Sequence, residues 1–176
     1  MDRVVKAGAV FDIEKLRWFN AQYLHALPPD ALLAVCSPYL LAAGIDTDDT
    51  ERGLAIVRLL ASYLTVPADI VPLLRPFAPG AIDIGGEEAQ SVMTAEQTPV
   101  VLQEFIRKAA EIANWKAADI KAAISDIQKE TGIKGKPLFM PIRFALTGEG
   151  HGPDLGATAE ILGRDVCIAR ATAALH

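Results

Sequence analysis

Residues 135–153 read GKPLFMPIRFALTGEGHGP. Whether these residues form a strand, a loop and a helix, or a helix followed by a turn, decides the fold. Glycine-rich nucleotide loops join a strand to a helix, so that backbone N–H groups can approach a phosphate. Here the apolar run ahead of the glycines has helical spacing over roughly 137–146. Gly148 then reads as a C-terminal stop, followed by a tight turn into Pro153. No G-x-x-x-x-G-K-[ST] occurs anywhere in the chain, and the stretch reads as a helix and a turn.

The same periodicity extends outward in both directions. Downstream, residues 155–162 and 165–174 give two more short helices. Upstream, Ile120, Ile124 and Ile127 make one apolar stripe closed by Gly132, and Val100, Val101, Phe105, Ala109 and Ile112 make another. Residues 78–95, APGAIDIGGEEAQSVMTA, interrupt the pattern with three glycines, a proline and three charges, which marks a connection. Before it, PADIVPLLRPF (67–77) is a short helix. Thr47 and Glu51 flank the start of another, whose apolar face carries Leu54, Val57, Leu60, Ala61 and Leu64. DALLAVCSPYLLAAG (30–44) ends at Gly44, and Asp12 caps a helix over 13–26 that Pro28 and Pro29 stop. There is no alternating strand pattern and no internal repeat. The chain is therefore all-α, with two helical-bundle subdomains: residues 1–80, a connection over 81–95, and residues 96–176.

Composition narrows the function. The chain has 176 residues, 51% of them apolar, enough to bury a sizeable core. No apolar run approaches the roughly 20 residues that span a bilayer, and the first residues are too polar for a secretory signal, so a cytoplasmic protein without membrane contact is expected. Cys36 and Cys167 are far apart within helical patterns, as buried free thiols rather than a redox or metal motif. His25, His151 and His176 lack the paired spacing of a metal site. His151 has Asp154 nearby, but no serine or cysteine stands in a nucleophile elbow, and a solvated loop histidine is the better reading. The net charge of −5 is unevenly spread. Residues 41–100 carry nine acids against three cations, whereas Lys129, Lys134, Lys136 and Arg143 face the single acid Glu130 over 129–143. Such a patch can meet phosphate on an acidic protein. An arginine beside an exposed loop can also pair with, or stack on, an unpaired base; spacing alone favours a solvated cationic face.

Two segments carry a resemblance. VVKAGAVFDIEKLRWFNAQYLHALPPDAL (4–32) resembles the segment that follows the catalytic half of bacterial glutamyl-tRNA synthetases, approximately S-K-s-p-A-v-F-D-x-E-K-L-x-W-x-N-x-x-Y-I-r. KGKPLFMPIRFALTGEGHGPDLGATAEILGRD (134–165) is similar to that family's C-terminal motif, approximately G-x-K-x-x-x-x-P-l-R-x-A-l-T-G-x-x-x-x-P-x-l-x-x-i-L-G. Between them, LLASYLTVPADI (59–70) and the Trp115 segment fall at matching distances, so the resemblance covers essentially the whole chain. It implies an all-helical anticodon-binding region preceded by the last piece of the stem-contact region. The family's catalytic signatures, H-I-G-H and K-M-S-K-S, are absent from these residues. The chain by itself is thus expected not to charge tRNA, and to be a fragment or a free-standing relative of the synthetase. ATP and magnesium would belong to the missing catalytic domain, with no cofactor or metal here.

The resemblance also implies roles for particular residues. Arg143 matches the arginine at the anticodon-loop surface, and Gly152, Pro153 and Leu155 match the loop that abuts anticodon bases. Lys134 and Lys136 would lie near backbone phosphate, with Lys15 and Arg17 as stem contacts. Thr147 would brace the turn, and Trp18, Asn20 and Tyr23 would be structural. One position departs from the pattern. Discriminating members of the family carry an arginine that reads the third anticodon base where this chain has Ser62. Serine is shorter and uncharged. That leaves three alternatives: relaxed anticodon choice extending to tRNA(Gln), a different reading residue (Arg58 or Arg75), or a chain without tRNA affinity. The expected partners are tRNA(Glu) and the catalytic half of the synthetase, in cis or in trans. The reading from another class is a helical protein-interaction or regulatory domain descended from the synthetase.

Overall fold

A computed structural model describes residues 12–176; residues 4–11 of the N-terminal motif lie outside that range. The described residues form ten α-helices and three short 3-10 turns, with no strand among them. The first half contains α1 (Ile13–Ala26), α2 (Pro29–Ala42), α3 (Thr50–Leu60) and α4 (Ile70–Leu73). The second contains α6 (Thr98–Glu111), α7 (Ala117–Thr131), α8 (Lys136–Thr147), α9 (Leu155–Leu162) and α10 (Arg164–Ala173). Between them lies α5 (Glu87–Met93), so the stretch expected to be a plain connection holds a two-turn helix. Its glycines mask it in the sequence: Gly85 and Gly86 precede the helix, which buries only Ala89.

Local chemistry explains most boundaries. Asp12 accepts the Lys15 N–H and opens α1, and Pro29 sits in the first turn of α2, where its missing N–H costs nothing. The α3 cap is Asp49, which accepts the Arg52 N–H, and the helix starts at Thr50, between Thr47 and Glu51 as expected. After α3 the chain tightens into 3-10 turns at Ala61–Tyr63, Pro67–Asp69 and Arg75–Phe77. The expected single helix over 67–77 is broken because Pro72 and Pro76 cannot donate to a continuous ladder. Gly132 and Gly148 end α7 and α8 in the left-handed region.

Helix α6 is central to the second half, packing on α7, α8 and α10, while α7 lies on α9. Its buried face is Thr98, Val101, Leu102, Phe105 and Ala109. Val100, assigned to the stripe from sequence, is 45% exposed, and Leu102 takes its place. In α3, Ile56 is buried and Leu54 only half-buried. Ile120, Ile124 and Ile127 are buried as expected. The halves share one continuous apolar cluster, across which α3 packs on α9. Polar ties follow the same seam: Arg170 Nη1 donates to the Pro76 and Leu146 carbonyls at 2.9 and 2.7 Å. Cys36 and Cys167 are fully buried free thiols, and burial pushes the Cys167 thiol up to about 12.

Helix α1 departs most from expectation. Trp18, Asn20 and Tyr23, read as structural, are exposed, as are Ile13, Leu16 and Phe19. Only Leu24 is buried. The reason is geometric: α1 meets the body near its C-terminal end, where His25 Nε2–H donates to the Leu64 carbonyl at 3.1 Å. The described residues place no element opposite its first turns.

Gly148 lies hard against the segment over 82–83. A Cβ at this position (φ +74°) would stand 2.6 Å from Ile82 Cγ2 and 2.7 Å from the Asp83 carbonyl oxygen. At Gly132 (φ +73°) it would meet nothing within 4 Å. Gly132→Ala should therefore cost only the left-handed backbone penalty, about 1–2 kcal/mol. Gly148→Ala should cost a further ~1–3 kcal/mol for displacing the 82–83 segment. Urea denaturation of both variants checks this; equal losses would show that the segment yields freely.

Candidate nucleic-acid interface

The surface of interest is built where α8 ends and α9 begins. Gly135 (φ +65°) and Pro137 set the start of α8, and the Gly148 N–H donates back to the Phe144 carbonyl at 2.8 Å to end it. Thr147, 4% exposed, locks the exit: its hydroxyl donates to the Arg143 carbonyl at 2.7 Å and accepts the Glu149 N–H at 3.1 Å. That is the bracing role expected of it. Asp154 then caps α9 by accepting the Ala157 N–H at 2.9 Å.

Arg143 spans the loop between these two anchors. Its Nη1 and Nη2 both donate to the Pro153 carbonyl, at 3.2 and 3.1 Å. The guanidinium is half-buried. Burial lowers its pKa, opposed by the Asp154 carboxylate and the Tyr63 phenol nearby, and at a pKa normally above 12 it stays charged. The flanking carboxylates have cations of their own. Asp154 pairs with Lys121 Nζ at 2.8 Å, and Glu149 with Arg75 Nη1 at 2.7 Å. Partial burial raises the Asp154 pKa, but Lys121, the Ala157 N–H and Arg143 together hold it below the usual value.

Two cavities open on either side of the turn at residues 152–153, and both include Arg143, Gly152 and Pro153 in their walls. One, of about 160 Å³, is closed by Pro72, Leu73, Pro76 and Phe77 of the first half, with His151 at its rim. The other, of about 430 Å³, lies against α7. The wall between them is polar and cationic, and their linings are largely apolar. An unpaired base, flat and apolar on its faces and polar along its edges, suits such a surface.

These features have a counterpart among known proteins. Residues 31–175 match the family described as "Anticodon binding domain". The chain belongs to the anticodon binding domain family. It is 39% identical over 175 residues to a glutamate–tRNA ligase of Heliobacterium modesticaldum, covering 97% of this chain and 35% of that protein. The corresponding enzyme of Bacillus subtilis is 38% identical over 97% of this chain and 36% of its own length. A crystal structure of a glutamate–tRNA ligase from Elizabethkingia meningosepticum, in complex with its amino acid, superposes with a TM-score of 0.84 at 31% identity, over 97% of this chain and 33% of that one. The chain thus spans about a third of the relatives it matches. The match favours the anticodon-binding reading over a protein-interaction domain without RNA.

Within this anticodon-binding domain, Arg143, Gly152 and Pro153 come together in the walls of both cavities, while Leu155, only 7% exposed, lines the larger one alone. Lys136 is exposed at the opposite end of α8, about 10 Å along its axis from Arg143 at 1.5 Å per residue, and Lys134 is exposed just ahead of the helix. Lys15 and Arg17 are exposed on α1, 12–15 Å by the same measure from the end that meets the body, at about 1.5 Å per residue. Ser62 is exposed on the turn Ala61–Tyr63, and its neighbour Tyr63, 48% exposed, acts on Arg143. Arg75 is engaged by Glu149 and the Asp83 carbonyl, and Arg58 is exposed on α3.

Sequence reasoning missed Tyr63, Phe139, Lys121 and the capping role of Asp154. For Phe139 a signal existed, since it lies one helical turn before Arg143 and so on the same face. For Lys121, distant in sequence, there was none.

No single helix among the described residues is long and apolar enough to cross a membrane. Asp154 is the residue on which the turn's geometry can be tested while Arg143 and Pro153 stay intact. Asp154→Ala should lose about 0.5–2 kcal/mol of stability with the cap, while Asp154→Asn should retain most of it. Because the folded pKa lies below the ordinary 3.8, the carboxylate's contribution is present above that pH and lost as pH falls through the folded value. Thermal denaturation at neutral pH and near pH 3 checks both statements; an Ala variant as stable as wild type would exclude the cap as the turn's anchor.

Proposed function

We propose that this chain is the part of a glutamate–tRNA ligase that binds the anticodon loop of tRNA(Glu), and that it is noncatalytic in isolation. The observation that carries the reading is Arg143, charged and half-buried, fixed across the turn at 152–153 between two cavities. A folded anticodon loop presents unpaired bases, whose edges can take the remaining N–H groups of the guanidinium and whose faces can lie on Pro153 and Leu155. Lys134 and Lys136 would meet phosphates leaving the loop, and Lys15 and Arg17 those of the stem. Orientation, rather than chemistry, is the contribution: the module holds one end of the tRNA so that its acceptor end can reach a catalytic half.

That half, supplied in cis or in trans, is the proposed partner for the exposed stripe Ile13, Leu16, Phe19 and Tyr23 on α1. ATP and magnesium would be bound there, and the assembly would act in the cytoplasm. Ser62 lacks a charged fork, so the reading extends to tolerance of tRNA(Gln), whose loop offers the same phosphates and stackable bases.

Filter binding to tRNA(Glu) tests the proposal. Affinity should fall steeply between low and moderate salt, as phosphate contacts require; absence of binding at low salt would reject it. Arg143→Ala should weaken binding by about 1–3 kcal/mol, and Arg143→Lys should recover little, because an ammonium cannot make two parallel contacts. Affinity for tRNA(Gln) within about tenfold of that for tRNA(Glu), a difference of ~1.4 kcal/mol, is expected with Ser62 in place.

A further inference from the structure

One face of α10 is turned to a third cavity, of about 360 Å³. Val166, Arg170 and Ala173 recur along that face at helical spacing, and Ala145 of α8 with Ile82 and Ile84 of the connecting segment form the other walls. The volume lies within the roughly 300–1,000 Å³ typical of small-molecule sites. Ala145 is two residues from Arg143, about 200° round α8, so this cavity is on the side of the helix away from the turn at 152–153.

Among the described residues, Arg170 is the one charged residue in the wall. Its Nη1 is fully engaged, donating to the Pro76 and Leu146 carbonyls. Its Nε and Nη2 have no acceptor among the described residues, and neither atom is buried. These two nitrogens form one edge of the planar guanidinium, the edge that takes a carboxylate through two parallel bonds.

A second cation strengthens the field there. Arg52 Nη2 donates to the Phe77 carbonyl at 3.0 Å, next along the chain from the Pro76 carbonyl that holds Arg170. Burial lowers the Arg170 pKa, the Cys167 thiol opposes this, and Arg52 lowers it further; the side chain stays charged. Among the described residues, neither arginine meets a carboxylate at salt-bridge distance. Two partly buried like charges without a counter-ion are unfavourable, and an anion at the open edge relieves both.

We propose that this cavity binds a small organic monocarboxylate with an apolar body. The carboxylate pairs with the Nε and Nη2 edge of Arg170, and the body lies on Ile82, Ile84 and Val166. A dianion suits the site less, because the remaining walls offer its second charge no partner.

The full chain is titrated with phenylacetate, hexanoate and octanoate, followed by calorimetry and by the NMR shifts of backbone amides. At least one acid should saturate, with shifts centred on α10 and residues 76–84. The corresponding amide, with the same body and no charge, should bind about tenfold more weakly or worse, as loss of a charge-assisted pair requires. Acetate and inorganic phosphate, which lack the body, should not saturate over the same range. Arg52→Gln should weaken binding several-fold. Val166 is 40% exposed, so substitutions there leave the core intact. Val166→Glu sets a carboxylate four residues ahead of Arg170, where it can pair with the guanidinium, and should abolish binding. Val166→Gln, similar in size and neutral, should retain it. A tripeptide ending in leucine, offered as free acid and as C-terminal amide, distinguishes a chain end from a free acid as the source; preference for the acid form upholds the site from either.

Saturation by none of the three acids would overturn the proposal, as would equal affinity for acid and amide, or unchanged affinity in Val166→Glu. Inorganic phosphate binding as tightly as the acids would show an adventitious ion only. Competition between the acid and the anticodon stem-loop of tRNA(Glu) would place the acid on the RNA-facing surface, and would equally reject the site.

Discussion

The two hydrogen bonds from Arg143 to the Pro153 carbonyl are the constraint on which the candidate site depends. They cross from the side of α8 to the entry of α9, so the loop between the helices is held at both ends and in its middle. Without that clamp the loop would retain its caps, Gly148 and Asp154, but nothing would fix the wall shared by the two cavities. A carbonyl also suits the guanidinium better than a carboxylate would. It orients the fork without neutralising it, and so leaves the charge available to a ligand.

This explains how an acidic chain can present a cationic site. The acids nearest Arg143, Asp154 and Glu149, are each taken by another cation, Lys121 and Arg75. Other charges cancel at a distance from the loop: Arg107 meets Glu104, Glu111 and Glu130 along α6 and α7, and Lys129 meets Asp126. Such exposed pairs add little stability. Their effect is on the field: a net charge of −5 says little about the sign seen by a phosphate close to Arg143, since charges beyond about 8–10 Å are screened at ordinary ionic strength.

The legibility of the sequence tracks the range of the interactions. Helices α2, α6, α7, α8, α9 and α10 can be read from periodicity and from local punctuation at Pro29, Gly132 and Gly148, all of which act within a few residues. On the face of α6, Val101, Phe105 and Ala109 are buried as expected, but Leu102 takes the place of Val100, because the two are equally apolar and only the positions of the neighbouring helices decide between them. Helix α5 escapes the sequence pattern because a two-turn helix after paired glycines has too little periodicity to register. At the site, Arg143 and the turn are close in sequence and are legible together. Tyr63 and Lys121, brought to Arg143 and Asp154 by the packing of α3 and α7 on α9, are not.

Helix α1 shows the same principle from the other side. Its apolar residues recur at helical spacing, as those of α7 do, and from sequence alone both predict a buried stripe. In α7 the stripe meets α6 and α9; in α1, Ile13, Leu16, Phe19 and Tyr23 remain 46–68% exposed. Periodicity records that a face is made to be covered, but not by what. For most of this chain the cover is another of its own helices. For α1, and on a smaller scale for Phe139, the described residues supply none, and in each case the uncovered apolar surface lies beside cations able to meet a polyanion: Lys15 and Arg17 in the first, Arg143 in the second. Apolar surface left bare next to positive charge is costly for a helix that only has to fold. It is what a surface needs when the remainder of its core is to be completed by a second molecule.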